Sequence, residues 1–273
     1  MLPKKSALML LAPGVVFIVL GFCIPALMLL FAPPGVTAGD VIARLGRMLQ
    51  DPYDLAIIWR TVGLGLLVTV LSVALGFPIA LLLARSTSRW AGLLLALAIF
   101  PLLLSNVVRT YGWLVLLGKN GVIGQIATAL GLPAPQLLYT ETAIVLGLLQ
   151  LFLPLAIISC YSAVAQVDGG LEDAARGLGA SRTRALWTVT LPLSLPGVVV
   201  AATLVFAGST TAYTTPYLLG GSNQRMLATQ LFNYSSVSID WAAASAVAII
   251  MTALVFLVSA ASAALAGRKG SVA

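Results

Sequence analysis

Apolar positions along this chain come in long unbroken blocks and do not alternate with polar ones. Six blocks, Ser6–Ala32, Ile57–Ala84, Ala91–Leu117, Thr142–Ala165, Leu195–Leu219 and Trp241–Ala266, are long enough for an α-helix to cross a bilayer, which takes ~20 residues. Barrel strands would alternate over ~10-residue segments. The pattern therefore predicts an all-α, polytopic membrane protein with six transmembrane helices. One polar insert interrupts it between the fourth and fifth blocks. In Leu171–Pro192, Leu171, Ala174, Ala175 and Leu178 recur at the spacing of one helix face, with Glu172, Asp173 and Arg176 elsewhere around the cylinder. Gly179 is placed to end that helix in a left-handed conformation, and Ser181 to cap a second one carrying Ala185, Leu186 and Val189. Pro192 predicts a break before the next span. The expected product is a knob of two short helices joined at a glycine.

Composition agrees with the blocks, with 60% of the 273 residues hydrophobic and 8% charged. Cytoplasmic loops are enriched in Lys and Arg. With the N-terminus inside, the inner segments hold Lys4, Lys5, Arg85, Arg89, Arg176, Arg182, Arg184, Arg268 and Lys269. The outer ones hold Arg44, Arg47, Arg60, Arg109, Lys119 and Arg225, diluted by Asp40, Asp51, Asp54, Glu141 and Asp240. Both termini and the knob are thus expected in the cytoplasm. The net charge of +7 reads as a topology signal and a contact with anionic membrane lipid, with no call for nucleic acid. The first block, too long for a secretion-signal core, is expected to stay as an anchor. Cys23 and Cys160 fall at opposite depths of their blocks, beyond the reach of a disulfide. The stretch Pro33–Ala56, long enough for a turn or an interfacial helix but too short for a domain, is expected to be a surface loop.

The knob resembles the signature loop of the inner-membrane permease subunits of binding-protein-dependent ABC importers. In that family an acid and two alanines are followed, after three residues, by a glycine, and nine residues later by Ile-x-Leu-Pro. Asp173, Ala174, Ala175, Gly179, Val189, Leu191 and Pro192 fall on those positions without a gap, Asp replacing Glu and Val replacing Ile. Arg-Thr-Tyr-Gly-Trp at 109–113, the run Leu137–Leu155 and Thr214–Gly221 look like the spermidine/putrescine-type branch. The resemblance implies an N-terminal anchor and outer loop over 1–56 and a permease domain over 57–273, with a coupling loop at 166–194. It implies a bacterial inner-membrane subunit whose cytoplasmic coupling helix docks on a separate ATPase dimer. Glu172, Asp173, Ala174, Ala175, Gly179, Ala180 and Ser181 would make that contact. A second homologous permease and a periplasmic or extracellular solute-binding protein would complete the assembly.

Candidate route residues lie in the fifth block, where six hydroxyl side chains (Ser209, Thr210, Thr211, Tyr213, Thr214, Thr215) crowd into seven positions. Hydroxyls can also bond to their own helix, so density is the signal. Ser209, Thr210, Tyr213 and Thr214 are the residues expected on the route, and Pro216 is expected to free a backbone carbonyl there. Arg109 reads equally as a snorkelling interfacial cation or as a route or docking residue. Tyr111 and Trp113 read as aromatic belt. No Gly-x-x-x-x-Gly-Lys-Ser/Thr loop occurs, so ATP and Mg are expected on the partner ATPase, no cofactor on this chain, and no enzyme activity in it. The rival class, an ion-coupled transporter or channel, wants an ionisable residue near the midplane, and the blocks hold none there. The solute expected is small and polar: a polyamine, opine, amino-acid derivative or phosphonate.

Overall fold

The computed structural model describes residues 13–31, 35–86 and 88–267, which form helices and no strand. Five helices are long and apolar enough to cross a membrane, or six when one bent pair is taken as a span. They are α1 (Pro13–Leu30), α3 (Pro52–Ala84), α7 (Glu141–Ala165), α9 (Arg182–Thr211) and α12 (Trp241–Gly267), with α4 (Ala91–Ile99) and α5 (Asn106–Leu117) as the bent pair. Shorter helices are α2 (Ala38–Met48), α6 (Val122–Ala129), α8 (Gly169–Gly177), α10 (Thr214–Gly220) and α11 (Leu227–Phe232). The start of the first predicted block and the basic residues at both termini lie outside the described residues.

Three sequence expectations are corrected. The third block is not one straight helix: Pro101 tightens Phe100–Leu103 into a 3₁₀ turn, Leu104 is extended, and the chain bends by 91° before α5. The fifth block does not run to Leu219. Its helix stops at Thr211, Ala212 is extended, and a separate helix starts at Thr214. Pro216 explains this, because its missing N–H is harmless in a first turn and would cost a bond in mid-helix. No break occurs at Pro192. Leu186–Thr190 widens into a π-turn in which Leu191 N–H bonds to Leu186 O, and the helix continues through the proline. A wider turn removes the clash between the Pro192 ring and the carbonyl four residues back.

The described residues divide into two compact units. In one, drawn from Met1–Ala56 and Gln230–Ala253, α2 gives the expected surface loop a helix of its own, started by Thr37 and Asp40 in reciprocal capping bonds. The Thr37 hydroxyl and N–H hold the Asp40 carboxyl below the usual carboxylate range. Arg44 reaches Asp240 at 3.6 Å and lies over the Tyr234 ring, and Ser245 Oγ donates to Leu29 O at 2.6 Å.

In the other unit, drawn from Ile57–Thr229 and Leu254–Ala273, the core joins α3, α7 and α9 around Leu64, Val68, Ile144, Leu148, Ala156 and Val205. Without a water-driven hydrophobic force, membrane helices attract mainly by close packing, which favours small residues at contacts. A Cβ on Gly65 would meet Thr210 and Phe206, one on Gly76 would meet Ala156, and one on Gly208 would meet the Phe152 ring. α10 packs on α5 and α7.

Candidate functional site: the knob and the broken fifth span

The knob is built as the sequence spells it at its ends. Asp168 caps α8 by accepting from Gly170 N–H at 3.0 Å, and Ser181 caps α9 by accepting from Arg184 N–H at 3.2 Å. Between them Gly179 has φ +93. Gly179 N–H bonds to Arg176 O and Ala180 N–H to Ala175 O, the paired bonds of a Schellman ending. A Cβ on Gly179 would meet nothing within 4 Å, so the glycine is required by its backbone and not by a close neighbour in this chain.

The orientation of α8 is the reverse of an ordinary amphipathic surface helix. Leu178 is 91% exposed and Leu171 and Ala174 are exposed too, whereas the acid Glu172 turns inward. Glu172 Oε1 accepts from Arg85 Nε at 2.9 Å and from Thr190 Oγ1 at 2.6 Å, with Arg85 Nη2 at 2.7 Å. Arg85 Nη1 also donates to Val167 O at 3.0 Å. One carboxylate thus ties α8 to the end of α3 and to the third turn of α9. Partial burial pushes its pKa up, but the bonds from Thr190 and Arg85 and the charges of Arg85 and Arg182 outweigh that and hold it lowered. Asp173, two-thirds or more exposed, reaches only Arg176, at 3.4 Å, among the described residues. Ala175 and Ala180 are half-buried and Ser181 is exposed.

The hydroxyl stretch separates into two sets at the break. Ser209 and Thr210 are buried, and their hydroxyls bond back to Phe206 O, Thr210 also to Ala207 O. Thr211 is exposed and bonds back to Ala207 O. Beyond the break Tyr213 and Thr214 are half-buried, Tyr213 stacking on Tyr217 at 5.1 Å, and buried Thr215 meets Thr110 of α5 at 3.5 Å. Arg109, next to Thr110, is half-buried. Its Nε and Nη1 are shielded from solvent and find no hydrogen-bond partner among the described residues.

Other partners are invisible to local pattern. Arg85 reads as a cation ending a span, and Thr190 as one residue of an apolar turn, yet both converge on Glu172. Trp113 is no simple belt residue, because its Nε1–H donates to Gln150 Oε1 of α7 at 2.8 Å. In the N-terminal part of α3, Arg60 Nε donates to Glu141 Oε1 at 2.9 Å, and Nη1 lies 3.4 Å from the Asn223 and Arg225 carbonyls. The only signal for these pairs was an unmatched cation at each end of one apolar block. Among the described residues no group of three metal-ligating side chains gathers.

Residues 76–270 match the model of the binding-protein-dependent transport system inner membrane component family. The spermidine/putrescine permease PotB of Haemophilus influenzae is 31% identical over 211 residues, covering 77% of this chain and 74% of the relative. The molybdenum permease ModB of Mycobacterium tuberculosis is 33% identical over 218 residues, 78% of this chain and 81% of the relative. In fold, the chain resembles a subunit of a bacterial alginate ABC transporter crystallised with an alginate pentasaccharide-bound periplasmic protein, with a TM-score of 0.78 at 14% identity over 95% and 93% of the two chains. It also resembles a chain of the MetNI methionine ABC transporter, TM-score 0.61 at 18% identity over 79% and 95%. These matches exclude the ion-coupled rival, and with the all-α bundle and the Schellman-ended knob they identify the chain as a permease component of a binding-protein-dependent ABC importer, a multi-pass protein of the inner membrane.

Proposed function

We propose that α8 is the coupling helix of this permease and that a cytoplasmic ATPase dimer covers its outward face. The inverted helix carries the proposal. A soluble or membrane-surface helix gains by burying leucine and exposing carboxylate, and here Leu178 points away from the chain while Glu172 points into it. Such a face is complete only with a partner. ATP and Mg would belong to that ATPase. A second, homologous permease would complete the route, a solute-binding protein would deliver from the periplasmic side, and both termini would face the cytoplasm. Closure of the ATPase would move α8, and the Glu172 tie would pass that movement to α3 and α9.

Around the broken fifth span, Arg109, Tyr213 and Thr214 would line the route, with Ser209 and Thr210 shaping the helix beneath it. The solute is small and polar, of the polyamine, opine, amino-acid derivative or phosphonate class. Relatives are named for solutes as unlike as spermidine/putrescine and molybdenum, so the cognate binding protein decides. Tight spermidine binding by that protein assigns the polyamine, with the acids supplied by the second permease.

The coupling proposal is tested by Gly179→Asp, with abundance, ATPase copurification and uptake measured on the same membranes. A left-handed φ strains any other residue by roughly 1 kcal/mol, too little to prevent insertion. Normal abundance with uptake and stimulated ATP hydrolysis both lost is the expected result. Normal uptake would remove Gly179 from coupling.

A further inference from the structure

A cavity of about 570 Å³ opens between the end of α3, α8 and the start of α9. Its charged lining is Arg85, Arg176, Arg182 and Glu172. Glu172 is engaged by Arg85, and Arg176 is opposed only by exposed Asp173 at 3.4 Å. Arg182 makes no ion pair within 4.0 Å among the described residues. Counting Asp173 with Glu172 against the three arginines, the cavity holds an excess of one positive charge, that of Arg182. It also receives the N-terminus of the 30-residue helix α9, where the dipole and the unpaired N–H groups of the first turn favour an anion. Thr183 and Ser86 add hydroxyl donors at the rim.

The remaining wall is apolar. Leu81, Leu82 and Leu186 line it, and Leu82 is 72% exposed, as a residue facing acyl chains would be. Trp187, beside Leu186, is 63% exposed, and Trp90, near the other end of the cavity in sequence, is 56% exposed. Exposed tryptophans mark the headgroup level of a bilayer. Two guanidiniums not held by Glu172, those of Arg176 and Arg182, with a leucine wall at that level match a phosphodiester carrying an acyl glycerol, since guanidinium forks bind phosphate oxygens in pairs.

We infer that this cavity is a phosphate-ester site, occupied by the headgroup of one anionic phospholipid seated against the root of the knob. A bound lipid there contacts α3, α8 and α9 together, so it bears on the same three elements that Glu172 joins. The site depends on the arginines and the leucine wall and not on the identity of the ATPase or the solute.

The test uses the full chain in mild detergent, exchanged into nanodiscs of equal phosphatidylglycerol and phosphatidylcholine and then stripped. Lipid retained per chain is counted by native mass spectrometry. One phosphatidylglycerol kept in preference to phosphatidylcholine is expected. The Arg176→Gln/Arg182→Gln pair should lower that retention by roughly tenfold or more, while Arg184→Gln, outside the cavity, should not. Should the double Gln variant lose its helical circular dichroism, Arg176→Lys/Arg182→Lys takes its place, keeping charge but losing the forks, and intermediate retention is expected. Added glycerol 3-phosphate separates the sources: unchanged retention assigns the lipid, and displacement assigns a free phosphate ester to the same site. Equal retention of the two lipids, or undiminished phosphatidylglycerol in a folded double variant, overturns the inference.

Discussion

α3 is fastened at both ends by the same chemistry, an arginine on a glutamate, and the two fastenings differ in what they hold. Arg60 and Arg85 lie 25 residues apart on or at the end of α3, ~38 Å along a helix, about the thickness of a bilayer with its headgroups. At the end expected from the basic residues to be the outer one, Arg60 meets Glu141, whose side chain is 51% exposed, at the first residue of α7. That pair joins one span to another span already packed beside it through Gly76 and Ala156. At the end expected to be the inner one, Arg85 meets Glu172, 23% exposed, on the separate short helix α8, with Thr190 as a third member. The outer clasp repeats a contact that the bundle makes anyway. The inner clasp is the polar joint between the bundle and the element proposed to receive force, so its loss disconnects where the other's loss only loosens.

Breaking the inner clasp should have the largest effect. Glu172→Ala leaves Arg85 half-buried without its partner and removes charge-assisted bonds of roughly 2–3 kcal/mol. Uptake should fall more than tenfold while the chain stays inserted, measured as uptake per unit of immunoblotted protein. Uptake within twofold of wild type would remove the joint from coupling. Thr190→Val comes next. It deletes one donor at about 1–2 kcal/mol and keeps Arg85, so a several-fold loss is expected, smaller than for Glu172→Ala; equal losses would mean that the hydroxyl alone holds α8.

At the outer clasp, Glu141→Gln should cost about 0.5–1 kcal/mol, the range of an exposed pair. A Tm lowered by a few degrees with uptake above half of wild type is expected, and a collapse of uptake there would erase the distinction between the two ends. The smallest effect is that of pH. The folded pKa of Glu172 is lowered, so its contribution is complete above the ordinary glutamate value, ~4.3, and disappears as pH falls through the lowered value. ATPase stimulation should therefore be level from pH 6 to 8 as far as this joint governs it. A titration within that window, abolished by Glu172→Gln, would contradict the sign.

Within the chain's local pattern, spans were legible because each needs only enough apolar residues in a row, and α7 and α12 start and end close to their predicted limits. The knob was legible for a related reason. Its caps, its left-handed glycine and its helix starts are satisfied by residues within five positions, such as Ser181 to Arg184 and Ala180 to Ala175. Proline effects were only half legible. Pro101, Pro192 and Pro216 each announce a disturbance, but a bend, a widened turn and a restarted helix resolve the same missing N–H, and neighbours choose among them.

What the tertiary structure alone decided is which face of each helix looks inward. Periodicity put Leu171 and Leu178 on one stripe of α8 without saying which face turns to the rest of the chain; the chain turns Glu172 inward, toward Arg85, 87 residues away in sequence, and Thr190, 18 away. The same holds for the hydroxyls of the fifth block. Their density is a property of the sequence, but Ser209 and Thr210 spend their bonds on their own helix while Tyr213 and Thr214 lie past a break. Sequence determines such features when the partner is within a helical turn. A contact closed over many residues depends on the packing of whole helices, and no local pattern encodes it.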